Sequence, residues 1–224
     1  LSGLLIAKSG VAKELFSVAN IWLGRLPGGL AMATTGAIGL FGAISGSSTA
    51  GVATMSTVCY PEMKRYNYRD TLATGCIAAG GGIDLMIPPS LGLIIFGILT
   101  EESIGKLFIA GIVPGLLQVS SFFLATYLVV KLFPKVAPTA HLQPVGWLEK
   151  LASLRKLWMV LALFALVLGG IYMGFFTPIE AGAVASTGAF LFTAISGRLS
   201  WRVFVESLRE TTAVTVIIFT LLLG

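Results

Sequence analysis

The chain has 224 residues, 56% hydrophobic and 11% charged, where a soluble domain carries about 25% charged residues. With a mean hydropathy of +0.93, that composition excludes a water-soluble globule and a disordered chain, and it points to a polytopic, all-α membrane protein. The net charge of +5 reads as cytoplasmic loop charge rather than as a nucleic-acid surface.

Residues 1–25 carry Lys8, Lys13 and Arg25 and read as a cytoplasmic amphipathic or linker segment. Residues 26–61 hold no charge. At about 36 residues this run is too long for one span of about 20. It fits a re-entrant hairpin of two half-spans, with its most polar and least helix-favouring point, Ser45-Gly46-Ser47-Ser48, at the tip. The polar stretch from Glu62 to Asp70 closes the hairpin. Residues 71–100 form a second apolar run, interrupted by Gly80-Gly81-Gly82-Ile83-Asp84-Leu85-Met86-Ile87-Pro88-Pro89-Ser90. Glycine costs about 1 kcal/mol and proline about 3 inside a helix. This run is therefore expected as a broken transmembrane helix, two half-helices joined by an unwound linker.

Residues 107–130 read as a transmembrane helix and 131–156 as a cytoplasmic loop or arm. Further transmembrane helices are expected over 157–176 and 181–196. Between them, Thr177-Pro178-Ile179-Glu180 has the chemistry of a helix start. Residues 197–210, with Arg198, Arg202, Arg209, Trp201 and Phe204, read as an interfacial arm. Residues 211–224 read as a truncated transmembrane or hairpin helix, so the chain is expected to be an interior fragment of a longer protein.

The positive-inside rule favours the re-entrant hairpin. With both ends of 26–61 on one side, Lys106 is the only external residue among the 15 Lys and Arg. A single crossing would also move Lys8, Lys13 and Arg25 outside. Polar backbone at mid-depth is tolerated only where it lines an enclosed site. A serine-rich tip and a double-proline break at one depth are the expected site of a secondary transporter. There, unwound carbonyls suit an alkali cation and half-helix N-termini suit an anion. Asp84, the one ionisable residue at that depth, is a cation ligand or a protonated, hydrogen-bonded carboxyl. Gly36, Gly39 and Gly42 suit close helix packing, and Cys59 and Cys76 read as packing residues. Catalysis is not expected: Ser47 or Ser48 as a nucleophile needs a base at its own depth, and the one histidine, His141, lies in a polar, proline-rich stretch. A channel is the remaining alternative, distinguished by single-channel conductance.

Three stretches carry a family resemblance: GAISGSSTAGVATMSTVCYPEMKRYNY from Gly42, LATGCIAAGGGIDLMIPPSLGLIIFGILTEESIGKLFIAGIVPGLL from Leu72, and GIYMGFFTPIEAGAVAS from Gly170. Together they resemble the large membrane (permease) subunit of TRAP transporters, the tripartite ATP-independent periplasmic transporters. The resemblance implies an elevator-type, inverted-repeat fold and sodium-driven import of organic anions across the bacterial inner membrane. C4-dicarboxylates, sialic or other sugar acids and keto acids are the implied substrates. The implied partners are a small membrane subunit and a periplasmic solute-binding protein. A related ion-coupled carboxylate carrier that works without a binding protein is the alternative. Carried over by position, sodium would be held mostly by backbone oxygens at Ser45, Gly46, Ser47, Ser48, Asp84, Ile87 and Pro89. Substrate would meet Ser47, Ser48, Pro88, Pro89 and Ser90. Asp84 stands where the family usually has glycine.

Overall fold

The computed structural model describes residues 1–45, 48–137 and 146–223. Gly46, Ser47 and His141 lie outside the described residues. Among the described residues the fold is helical, with no strand. The helices are α1 (Ser2–Lys8), α2 (Val11–Leu23), α3 (Gly29–Ser45), α4 (Ser48–Arg65), α5 (Asp70–Ile83), α6 (Leu91–Thr100), α7 (Ile104–Leu132), α8 (Trp147–Leu154), α9 (Trp158–Tyr172), α10 (Pro178–Ile195) and α11 (Trp201–Leu223).

The centre of the molecule is α3, apolar on every side and buried along most of its length. Such a helix belongs in a core rather than at a boundary. Helix α4 returns antiparallel to it. Near the base the Thr34 hydroxyl meets the Met63 sulfur at 3.4 Å, and near the tip Gly51 packs on Gly42. Helix α5 runs parallel to α3: Thr35 Oγ1 donates to the Cys76 carbonyl at 3.2 Å, and Gly39 lies against Ile83. Helix α7 is 29 residues long, about 43 Å at 1.5 Å per residue. It lies antiparallel along the whole of α5, the linker and α6. Gly97 meets Leu107 at one end, and the Arg69 N–H reaches the Val136 carbonyl just past the other, at 3.0 Å.

These directions gather charge at one end of the molecule. Gly28 packs against Val130, which places Arg25 beside the end of α7 and Lys131. Lys150 lies over Trp22, and Arg198 pairs with Glu14 at 2.6 Å. Lys64, Arg65 and Arg69 stand at the same end, because α4 ends where α3 begins. Glu101, Glu102, Lys106 and the turn before α10 lie at the other end, where Gly105 approaches Ile171. Both ends of the α3–α4 hairpin therefore lie at the basic end.

Among the described residues, three stretches are long and apolar enough to cross a membrane: α7, the continuous stretch Trp147–Tyr172, and α10. Only 17% of the most apolar window of α7 is buried, and Leu99, Leu116, Leu117 and Ile195 are exposed. Apolar side chains outside with Thr34, Thr35, Asp84 and Thr193 inside match a molecule solvated by lipid.

Several elements differ from the sequence expectation. Residues 1–25 hold two helices, and α1 is built into the interior, with Leu5 and Ile6 fully buried. Helix α4 continues through Pro61 to Arg65. The expected arm over 197–210 and helix over 211–224 are one helix, α11, because no glycine or proline separates them. Gly80, Gly81 and Gly82 are not part of the unwound linker. They form the last turn of α5, where a Cβ on Gly80 would sit 2.7 Å from that of Ile38, while Gly81 lies against Val52.

Candidate functional site

The hairpin tip and the helix break meet at Asp84. Its side chain is only 4% exposed, and Ser48, the first residue of α4, donates from Oγ to Asp84 Oδ1 at 2.8 Å. The backbone N–H groups of Asp84 and Leu85 also face the carboxylate. Space for it is made by Gly42, where a Cβ would lie 2.7 Å from Asp84 Cγ. Asp84 has φ −67° and ψ −18°, right-handed backbone open to any L-residue. The position therefore does not demand a glycine.

Residues 84–90 connect α5 to α6. Met86 and Ile87 direct their N–H groups to the Ile83 carbonyl at 3.2 and 3.3 Å, while the Met86 carbonyl lies against Gly111 of α7. Buried Ser90 donates to the Leu85 carbonyl at 2.8 Å and so leaves the start of α6 without a side-chain cap. Buried Pro88 and half-buried Pro89 complete the turn. No described residue donates a hydrogen bond to the carbonyls of Ile87, Pro88 or Pro89. The linker thus offers acceptors on one side and open helix N–H groups on the other.

Helix α7 holds the linker from behind. Gln118, the central residue of α7, donates from Nε2 to the Gly82 carbonyl at 3.2 Å, and its buried Oε1 has no partner among the described residues. Gly115 and Ile87 touch. Sequence reasoning missed Gln118, although a lone amide in an apolar span was its signal.

Of the expected site residues, Ser48 and Asp84 are hydrogen-bonded. Ser45 and Pro89 line one cavity of about 610 Å3. Ser48, Asp84, Ile87, Pro88 and Ser90 are not among the residues that line it. Gly46 and Ser47 lie outside the described residues. The cavity opens between the hairpin tip, α1, α10 and α11; among the described residues Glu210 lines it and no Lys or Arg does.

Thr177 and Glu180 play a structural part. The Thr177 hydroxyl accepts from the Glu180 N–H at 3.3 Å, and Glu180 accepts from the Thr177 N–H at 2.7 Å. Together they form the capping box that starts α10.

An apolar helical bundle whose outer face suits lipid, with a carboxyl group buried where helix ends and unwound backbone meet, has the build of a multi-pass membrane protein. The chain belongs to the family described as "Tripartite ATP-independent periplasmic transporter, DctM component", which it matches over residues 1–224. The family consists of transporter permeases, not enzymes. The chain is similar to the C4-dicarboxylate TRAP transporter large permease protein DctM of Pseudomonas aeruginosa, with 41% identity covering 83% of this chain and 43% of that protein. It is similar to the ectoine TRAP transporter large permease protein TeaC of Halomonas elongata, with 35% identity over 84% of this chain and 43% of that protein. The sialic acid TRAP transporter large permease protein SiaM of Vibrio cholerae is 32% identical over 100% of this chain and 52% of its own length. The chain spans about half the length of these relatives.

Proposed function

We propose that this chain is part of the large permease subunit of a sodium-coupled importer of organic anions in the bacterial inner membrane. The α3–α4 hairpin would be re-entrant and would carry the coupling ion at its tip. The observation that carries this reading is the Ser48–Asp84 contact at 2.8 Å, which ties the hairpin tip to the linker beside unclaimed carbonyl oxygens. Hydroxyl, carboxylate and carbonyl oxygens are the ligands a hard cation takes.

The charge arithmetic couples ion to substrate. Asp84 and a substrate carboxylate about 4 Å apart would repel by about 4 kcal/mol at an effective dielectric near 20. A sodium ion between them removes that repulsion, so anion binding requires sodium. The open N-terminus of α6 then faces the anion. Ion and substrate favour the same state, and their fluxes are linked. The pair would move together, elevator fashion, against the rest of the subunit. A small membrane subunit and a periplasmic binding protein complete the transporter in this reading. The relatives' names support the substrate range: C4-dicarboxylates and sialic acid, with ectoine beside them.

The test is uptake by proteoliposomes holding the complete transporter, measured against sodium concentration. Ser48→Ala and Asp84→Asn are each expected to raise the half-saturating sodium concentration about tenfold or more, in proportion to a lost charge-assisted contact. Unchanged sodium dependence in both variants would overturn the assignment. Uptake that needs no periplasmic protein would favour the carrier that works without one.

A further inference from the structure

Helix α8 turns most of its large apolar side chains away from the protein. In a water-exposed helix the polar face looks outward, yet in α8 the large outward side chains are Trp147, Leu148 and Leu151, at 74%, 85% and 58% exposure, with exposed Glu149 and Ala152 beside them. The inward residues are Ser153, 3% exposed, with its hydroxyl closed on the Lys150 carbonyl at 2.6 Å, and half-buried Leu154, which packs on the core. An apolar face turned away from the protein gains nothing from water.

The surroundings say what covers it. Lys150 Nζ stands 5.6 Å from the Trp22 ring centre and 5.3 Å from that of Trp147, so one ammonium is held between two indoles. Indole and lysine together are characteristic of the headgroup level of a bilayer. Exposed Arg155 and Lys156 follow α8 directly, and exposed Lys131 and Lys135 lie at the same end of the molecule. Glu149 is the acidic residue of α8. Leu132 and Phe133, at the end of α7, are likewise exposed, at 70% and 61%. An apolar strip with cations along its border complements an anionic phospholipid, acyl chain on the strip and phosphate at the border.

We propose that α8 is a lipid-facing anchor. It lies along the cytoplasmic leaflet, leaving residues 155–172 of the apolar stretch Trp147–Tyr172 to cross, with Trp147, Leu148 and Leu151 in the acyl region, while Lys150, Arg155 and Lys156 take the headgroups of anionic phospholipids. This anchor is independent of the sodium site and stands on the membrane placement alone.

The experiment reads Trp147 fluorescence in the complete transporter, with the other tryptophans replaced by phenylalanine. The protein is reconstituted in phosphatidylcholine vesicles doped with brominated phosphatidylglycerol or with brominated phosphatidylcholine. Anionic bromolipid is expected to quench about threefold more at low salt, and the preference is expected to fall as salt rises. A combined Lys150→Gln, Arg155→Gln and Lys156→Gln variant brings the two lipids to parity. Equal quenching in the parent, or a preference insensitive to salt, overturns the proposal whether or not that variant folds. Trp147 quenched by neither lipid assigns this face to a protein partner, the small membrane subunit above all, and equally overturns it.

Discussion

Gly42 and Asp84 are a matched pair. The carboxylate occupies the volume a Cβ on Gly42 would need, and it is held there by Ser48. Gly42→Ala is expected to destabilise the protein by about 1–3 kcal/mol, the range for overpacking a filled interior. The reading is a lowered thermal unfolding midpoint in detergent. In an Asp84→Gly background most of that cost disappears, because the clashing atoms are gone. An equal loss in both backgrounds would show that Gly42 serves another contact. The positions of Gly42 and Asp84 are plain in the sequence, and so is the small size of one and the charge of the other. Their contact is not, because it joins residues 42 apart whose proximity depends on α3 and α5 running parallel.

At the scale of elements, helix starts were the most legible. Thr177-Pro178-Ile179-Glu180 reads as a helix start and forms one, since a capping box is chemistry within four residues. Thr177→Ala is expected to cost about 1 kcal/mol, read as a lowered thermal unfolding midpoint in detergent. The triple glycine was less legible. Gly80 and Gly81 resemble a helix breaker by propensity, but neighbouring Ile38 and Val52 demand their missing side chains, and the helix survives. Propensity is local, and this requirement comes from another helix.

Across the whole molecule, the arrangement of charge sets the orientation. Asp70 sits between Lys64 at 2.8 Å and Tyr60 at 2.9 Å, closing α4 onto α5 at the basic end. Lys64 first, then Tyr60, holds the Asp70 carboxyl below its ordinary value. A re-entrant hairpin places this closure in the cytoplasm. Lys64→Cys is therefore expected to react with an impermeant thiol reagent only from the inner side of oriented vesicles, and Lys106→Cys only from the outer side. Labelling of both from one side would require the hairpin to cross the membrane. The buried cysteines, Cys59 and Cys76, provide an unreactive background.

Composition and charge order by themselves determined that this is an apolar helical membrane protein whose charges are set apart from its long apolar runs. Those properties follow from the energy of placing each residue in lipid or water, a sum over local segments. Only the tertiary structure decided which breaks face one another. That depends on helix direction and close approach: parallel α3 and α5 bring Gly42 to Asp84, antiparallel α4 brings Ser48, and α7 brings Gln118 behind them. It also decided that α8 turns Leu148 and Leu151 outward, because the periodicity of a helix defines its faces but not the surroundings of either one.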